Sequence, residues 1–109
     1  MMNDYQIDLD SRPATAVLHG VFRLATPEQY DVLFAPLATG LDSAAGGYTV
    51  DLTDVVLMNS SGLRALADLV LAARRSGTSL TFLGKADVPW HSKTVASFKP
   101  LYAGLTVKL

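Results

Sequence analysis

The sequence predicts an α/β domain, a single mixed, mostly parallel β-sheet with helices packed against it. Three observations predict it. Segments that alternate apolar and polar residues take turns with segments whose apolar residues recur every three or four positions, and strand–helix–strand units favour parallel pairing through right-handed crossovers. The junctions carry recognisable helix starts and stops. Half of the 109 residues are hydrophobic, enough for one core without disulfide or metal staples.

Tyr5-Gln6-Ile7-Asp8-Leu9 alternates as a half-buried strand does. Ser11-Arg12-Pro13 reads as a turn, and Ala14 to Leu24 as a second strand in which Gly20 marks a bulge or a close backbone approach. This opening pair could add an antiparallel edge. Thr26-Pro27-Glu28-Gln29 is a helix start, with Thr26 as N-cap, Pro27 in the first helical position and Gln29 completing a capping box. Tyr30, Leu33, Phe34 and Leu37 then share a face. Pro36 predicts a kink or break, because it removes a backbone donor and clashes one turn back. Ser43 to Gly47 reads as a flexible loop.

Tyr48 to Met58 is the third strand, with Val50 and Leu52 on one side and Thr49, Asp51 and Thr53 on the other. From Val55 the alternation is lost, which reads as burial on both faces. Leu63, Leu66, Ala67, Val70 and Ala73 recur at helical spacing. Arg74-Arg75 suit the negative end of that helix dipole, and Gly77 suits its C′ position. Ser79 to Gly84 is a further strand. Asp87-Val88-Pro89 opens a last helical region with Trp90, Val95, Phe98 and Leu101 as its apolar residues, closed by Pro100. Leu105 to Leu109 is a short terminal strand.

Composition narrows the functional classes. There is no cysteine, so no disulfide framework, thiolate metal site or thiol nucleophile. Net charge is −1 and the bases are scattered, without the basic patch that drives nucleic-acid affinity. The polar N-terminus lacks the regions of a signal peptide, and the apolar runs fall short of a membrane span. The expectation is one soluble cytoplasmic domain over residues 1–109, with neither nucleic acid nor membrane as partner. No nucleophile elbow, P-loop or dinucleotide fingerprint is present. His19 and His91 have no cysteine or paired acids to complete a metal site. Asp51 and Asp54, three apart in one strand, are expected to face opposite ways, which argues against a carboxylate dyad. The expectation is therefore a non-enzyme without a cofactor.

The most informative stretch is residues 50–66, V-D-L-T-D-V-V-L-M-N-S-S-G-L-R-A-L, where two serines and a glycine separate an apolar strand from an amphipathic helix. Taken locally, Ser60 and Ser61 are helix caps. The stretch also resembles the central motif of STAS domains, the sulfate transporter and anti-sigma factor antagonist family. That motif is an apolar strand with Asp-Leu-Ser/Thr, then Asp-Ser-Ser/Thr-Gly, then Leu-x-x-Leu. The order and length of elements over the whole chain are similar to one such domain.

The resemblance implies a stand-alone bacterial anti-sigma factor antagonist-like protein that works by partner switching in transcription regulation. It implies Ser61 as the phosphoacceptor, Ser60 as its neighbour and Gly62 as the motif glycine. It also implies an anti-sigma factor that doubles as serine kinase, and a phosphatase that resets the switch. The departure is Asn59, where the family carries Asp. Asn keeps the size and loses the charge, and if that Asp helps a kinase or its metal ion handle the hydroxyl, Asn59 weakens phosphorylation.

A serine in this turn sits at the positive end of a helix dipole, where first-turn N–H groups favour an anion. Gly62 is expected to let a partner approach the backbone, and Leu63 to be core with a part left for a partner. Arg64, three residues after Ser61, shares its helix face; it pairs with a phosphate or a partner carboxylate, or is simply solvated. Trp90, with His91, Lys93 and Phe98, either packs onto the sheet, the expectation here, or anchors a partner. The switch loop would thus be Asn59, Ser60, Gly62, Leu63 and Arg64 around Ser61. Two other readings stand beside it: a constitutive scaffold without phosphorylation control, and a nucleotide or lipid sensor, for which no pocket residues are evident. The edge strands could pair in a dimer, so the chain is expected to be a monomer or weak homodimer.

Overall fold

The computed structural model describes residues 4–11, 14–44 and 46–109. Its strands are β1 (Tyr5–Ser11), β2 (Ala14–Phe22), β3 (Tyr48–Met58), β4 (Leu80–Leu83) and β5 (Leu105–Lys108). Its α-helices are α1 (Pro27–Ser43) and α2 (Ser60–Ser76). Between β4 and β5 a π-type turn, His91–Val95, runs into a 3-10 turn, Ala96–Leu101. The strands form one sheet in chain order, β1-β2-β3-β4-β5, with β1 antiparallel to β2 and every later pair parallel. This is the mixed, mostly parallel α/β architecture that the alternation predicts, with the opening pair as its antiparallel edge. The predicted turn at Arg12-Pro13, and Ala45 in the predicted loop, lie outside the described residues.

Strand order that follows chain order has a consequence. Each right-handed crossover returns on the same side of the sheet, so the helices gather on one face. Burial agrees. Leu18 and Phe22 of β2, Val50, Leu52 and Val55 of β3, and Leu80 and Phe82 of β4 are buried against Tyr30, Phe34, Leu37 and Leu41 of α1 and Leu66, Leu69, Val70 and Ala73 of α2. The opposite face carries a row of threonines in register, Thr15, Thr49, Thr81 and Thr106, and none of them is buried.

The lost alternation at the end of β3 has a cause other than double burial. The β2–β3 register slips twice, between Val17 and His19 and again between Gly20 and Val21, so β3 spends extra residues at Thr53–Asp54 and Val56–Leu57. Val55 and Met58 are buried, but Val56 is 69% and Leu57 49% exposed. The first bulge also turns Asp54 onto the open face, the face that Asp51 occupies, so these carboxylates do not point opposite ways. Period-two reasoning fails where a strand inserts a residue.

At the start of α1, Thr26 accepts from the Gln29 amide at 3.3 Å, and the Gln29 side chain accepts from the Thr26 amide at 3.2 Å, the predicted capping box. Pro36 does not break the helix, which runs unbroken to Ser43. It sits on the exposed side, where a carbonyl that loses its intrahelical partner can bond to water. Gly77 takes the left-handed conformation (φ 73°) that ends α2, as predicted. Gly20 does mark a close approach: at φ 96° a Cβ would lie 2.2 Å from the Asp4 carbonyl oxygen.

Candidate functional site

β3 carries the chain to the carboxyl edge of the sheet, and α2 begins after one residue, Asn59. That residue organises the turn. Its amide N–H donates to the Phe22 carbonyl at 2.9 Å, extending the ladder to β2. Its side-chain Oδ1 accepts from the Gly62 amide at 3.1 Å and from the Tyr30 hydroxyl at 2.7 Å, while Nδ2 donates to the Leu24 carbonyl at 2.9 Å. One side chain thus ties α2 to α1 and to the loop before α1. The bonds use both halves of the amide, which gives Asn a role that Asp cannot fill, because a carboxylate has no donor for Leu24.

Asn59, and neither serine, is therefore the N-cap of α2. This corrects the capping assignment for Ser60 and Ser61. Among the described residues neither serine hydroxyl has a hydrogen-bond partner. Ser60 is exposed and Ser61 half-buried. The Gly62 amide is already occupied by Asn59, so the anion-favouring features left near Ser61 are the Ser60 and Ser61 amides, the helix dipole and Arg64.

The role expected for Gly62 also changes. It is buried, and the group that approaches it closely is the chain itself: a Cβ there would lie 2.4 Å from Met58 Cγ and 2.9 Å from the Tyr30 ring. Gly62→Ala is expected to lower stability by about 1–2 kcal/mol, overpacking outweighing the gain in helix propensity. Urea unfolding of the variant checks this; an unchanged midpoint would mean that Met58 and Tyr30 move aside freely.

Leu63 packs partly on the core, as expected. Arg64 is exposed and makes no ion pair among the described residues. Ser61 and Arg64 share the wall of a cleft between the starts of α1 and α2, about 330 Å³, with Pro27, Glu28, Asp31 and Asp68. Three carboxylates thus face the one hydroxyl and the one guanidinium. The sequence shows these acids but not that two helices bring them together.

Tyr30 lies under this turn, and burial pushes its phenol above the ordinary value, as it does for Tyr48. A group whose folded pKa is raised stabilises the fold fully below its unfolded value and loses that contribution as pH rises through the folded one. Stability is therefore expected to fall above about pH 10. Denaturant unfolding across that range checks it, and Tyr30→Phe should shallow the alkaline slope while losing about 1 kcal/mol at neutral pH with the Asn59 bond.

No protein-family model matches the chain, and no curated protein matches it.

On the helix side of the sheet, Trp90 and His91 occupy a place that sequence reasoning left at simple packing. β4 pairs only with Tyr48 to Asp51, so residues 52–58 of β3 have no strand beside them there. The Trp90 indole Nε1–H donates to the Val56 carbonyl at 3.0 Å. His91 is fully buried; its Nδ1 accepts from the Lys85 amide and its Nε2 contacts the Val55 carbonyl, both at 3.0 Å, which fixes the tautomer with the proton on Nε2. Two rings stand in for the missing strand. A strand of only four residues, followed within one short loop by adjacent Trp and His, is the sequence signal for it.

His19 lies on the open face between two carboxylates, Nε2 at 3.1 Å from Asp8 and Nδ1 at 3.0 Å from Asp54. Both contacts are hydrogen bonds together only when both ring nitrogens carry protons. The Gln6 side-chain amide, 2.8 Å from Asp8, and His19 beside it hold the Asp8 carboxyl below its usual range. The cluster fastens β1 to β3 across β2. Among the described residues no group of three or more His, Cys, Asp or Glu is placed to hold a metal ion, and no helix is long and apolar enough to cross a membrane.

Proposed function

We propose that the chain is a non-enzymatic regulatory domain that binds a partner protein through the turn from Asn59 to Arg64, with Ser61 as the residue whose phosphorylation switches that binding. One observation carries the reading: Asn59 does the capping, which leaves the Ser61 hydroxyl without a partner at the mouth of the cleft between α1 and α2. A phosphate there adds about −1.5 to −2 charges. It would stand among the carboxylates of Glu28, Asp31 and Asp68, with Arg64 as the one basic side chain among the described residues that line the cleft. Repulsion of that size changes the surface offered to a partner, while the Asn59 bonds that hold the turn do not involve either serine hydroxyl. The resemblance of residues 50–66 to the STAS motif supports the same assignment, with an anti-sigma factor-like serine kinase as partner and a phosphatase as reset.

Phosphopeptide mapping of the protein isolated from its native cells, across several growth conditions, tests this. Cleavage after Arg23 and Arg64 releases one fragment, Leu24 to Arg64, holding both serines. Phosphate on Ser61 in some conditions is the expected result. Full coverage of that fragment with no phosphate in any condition would instead favour a constitutive scaffold.

A further inference from the structure

Among the described residues β1 is an edge strand with β2 as its one sheet neighbour. Beneath it, between the strand and the outer side of α1, three adjoining clefts of about 460, 350 and 410 Å³ run the length of the strand; the first two share Tyr5 and Leu33, and the last two share Leu9 and Pro36. The wall is Tyr5, Ile7 and Leu9 from β1 and Val32, Leu33 and Pro36 from α1. These residues are under-covered for their chemistry, with Leu9 54% and Val32 78% exposed. An unpaired strand edge beside an apolar groove that parallels it is the arrangement used to capture an extended peptide, main-chain bonds supplying affinity and alternate side chains filling the groove.

Charge selects the occupant. Gln6, Asp8 and Asp10 alternate with the groove residues along β1, and Glu28 lines one end. No Lys or Arg lines any of the three clefts among the described residues. A second copy pairing antiparallel through β1 about a twofold near Leu9 would set Asp8 of one chain against Asp10 of the other, and like charges across strands are destabilising even though Gln6 and His19 already contact Asp8. A strand with apolar residues toward the groove and basic residues between them meets both requirements.

We propose that the β1–α1 groove binds an extended segment of a partner protein by strand addition, the segment alternating apolar residues with Lys or Arg. This surface is separate from the Asn59–Arg64 turn, and its test does not depend on Ser61.

The probe is the blocked heptapeptide Lys-Val-Lys-Val-Lys-Val-Lys, titrated into the isotope-labelled full chain and followed by amide shifts and amide hydrogen exchange. The expected result is shifts confined to β1 and residues 32–36, slowed exchange in β1, and binding about tenfold weaker when glutamates replace the lysines or when prolines replace the valines. Leu9→Lys and Val32→Ser, both at exposed positions, should each weaken binding at least severalfold without changing the unfolding midpoint. No shift at millimolar peptide, equal binding of the glutamate peptide, or shifts lying elsewhere would overturn the proposal. So would concentration-dependent self-association that Leu9→Lys abolishes, since the edge would then belong to a second copy.

Discussion

His91→Ala is expected to cost about 3–5 kcal/mol. The ring is fully buried and bonds two backbone groups, the Val55 carbonyl and the Lys85 amide. Truncation leaves a cavity of ring size and orphans both groups, and each orphan costs about 1–3 kcal/mol where water cannot reach it. A domain of this kind has about 5–15 kcal/mol to lose, so the variant should melt more than about 10 °C lower and populate unfolded chain at 37 °C. His91→Phe restores most of the volume and neither bond, and should fall between wild type and alanine. Thermal and urea unfolding followed by circular dichroism separate the three. A loss under about 1 kcal/mol for alanine would mean that another group or water takes over the Val55 carbonyl.

Asn59→Ala comes second, with an expected loss of about 2–4 kcal/mol. It removes the cap on the Gly62 amide, the acceptor for the buried Tyr30 hydroxyl and the donor to the Leu24 carbonyl. The cap alone is worth about 1 kcal/mol. The rest comes from leaving the Tyr30 O–H and the Leu24 carbonyl without their Asn59 partner, although the Tyr30 oxygen still accepts from the Leu24 amide. Asn59→Asp is the more instructive change. It keeps both acceptor roles and adds a charge favoured at a helix N-terminus, but sets a carboxylate oxygen near the Leu24 carbonyl with no proton between them. It should be less damaging than alanine and still below wild type. An Asp variant as stable as wild type would mean that the Leu24 bond gives no physical reason for Asn at this position.

Much of the fold was legible because its signals are local. The capping box at Thr26 and Gln29 and the glycine that ends α2 each follow from residues within a turn of one another. Misreadings arose where a distant partner decided the outcome. The end of β3 looked doubly buried because bulges, set by pairing with β2, break the alternation. Serine's strong capping preference points to Ser60 and Ser61, while Asn59 holds the position through Tyr30 and Leu24, which are 29 and 35 residues away. A glycine in this turn suggests room for a partner, but Tyr30 and Met58 fill the space over Gly62. Pro36 was read as a break, and its exposed place on α1 makes it tolerable. In each case the residue types were visible and the tertiary neighbour was not.

The rings that cover the far end of β3 come from 34 and 36 residues downstream of the carbonyls they serve. At synthesis rates of about 5–20 residues per second, the donors leave the ribosome roughly 2–7 s after those carbonyls. Throughout that interval this side of β3 is an open strand edge, with Val56 and Leu57 beside it, and such edges recruit other chains. Trp90 and His91 thereby set the length of a window for aggregation at birth, one that a pause anywhere between residues 58 and 90 would widen.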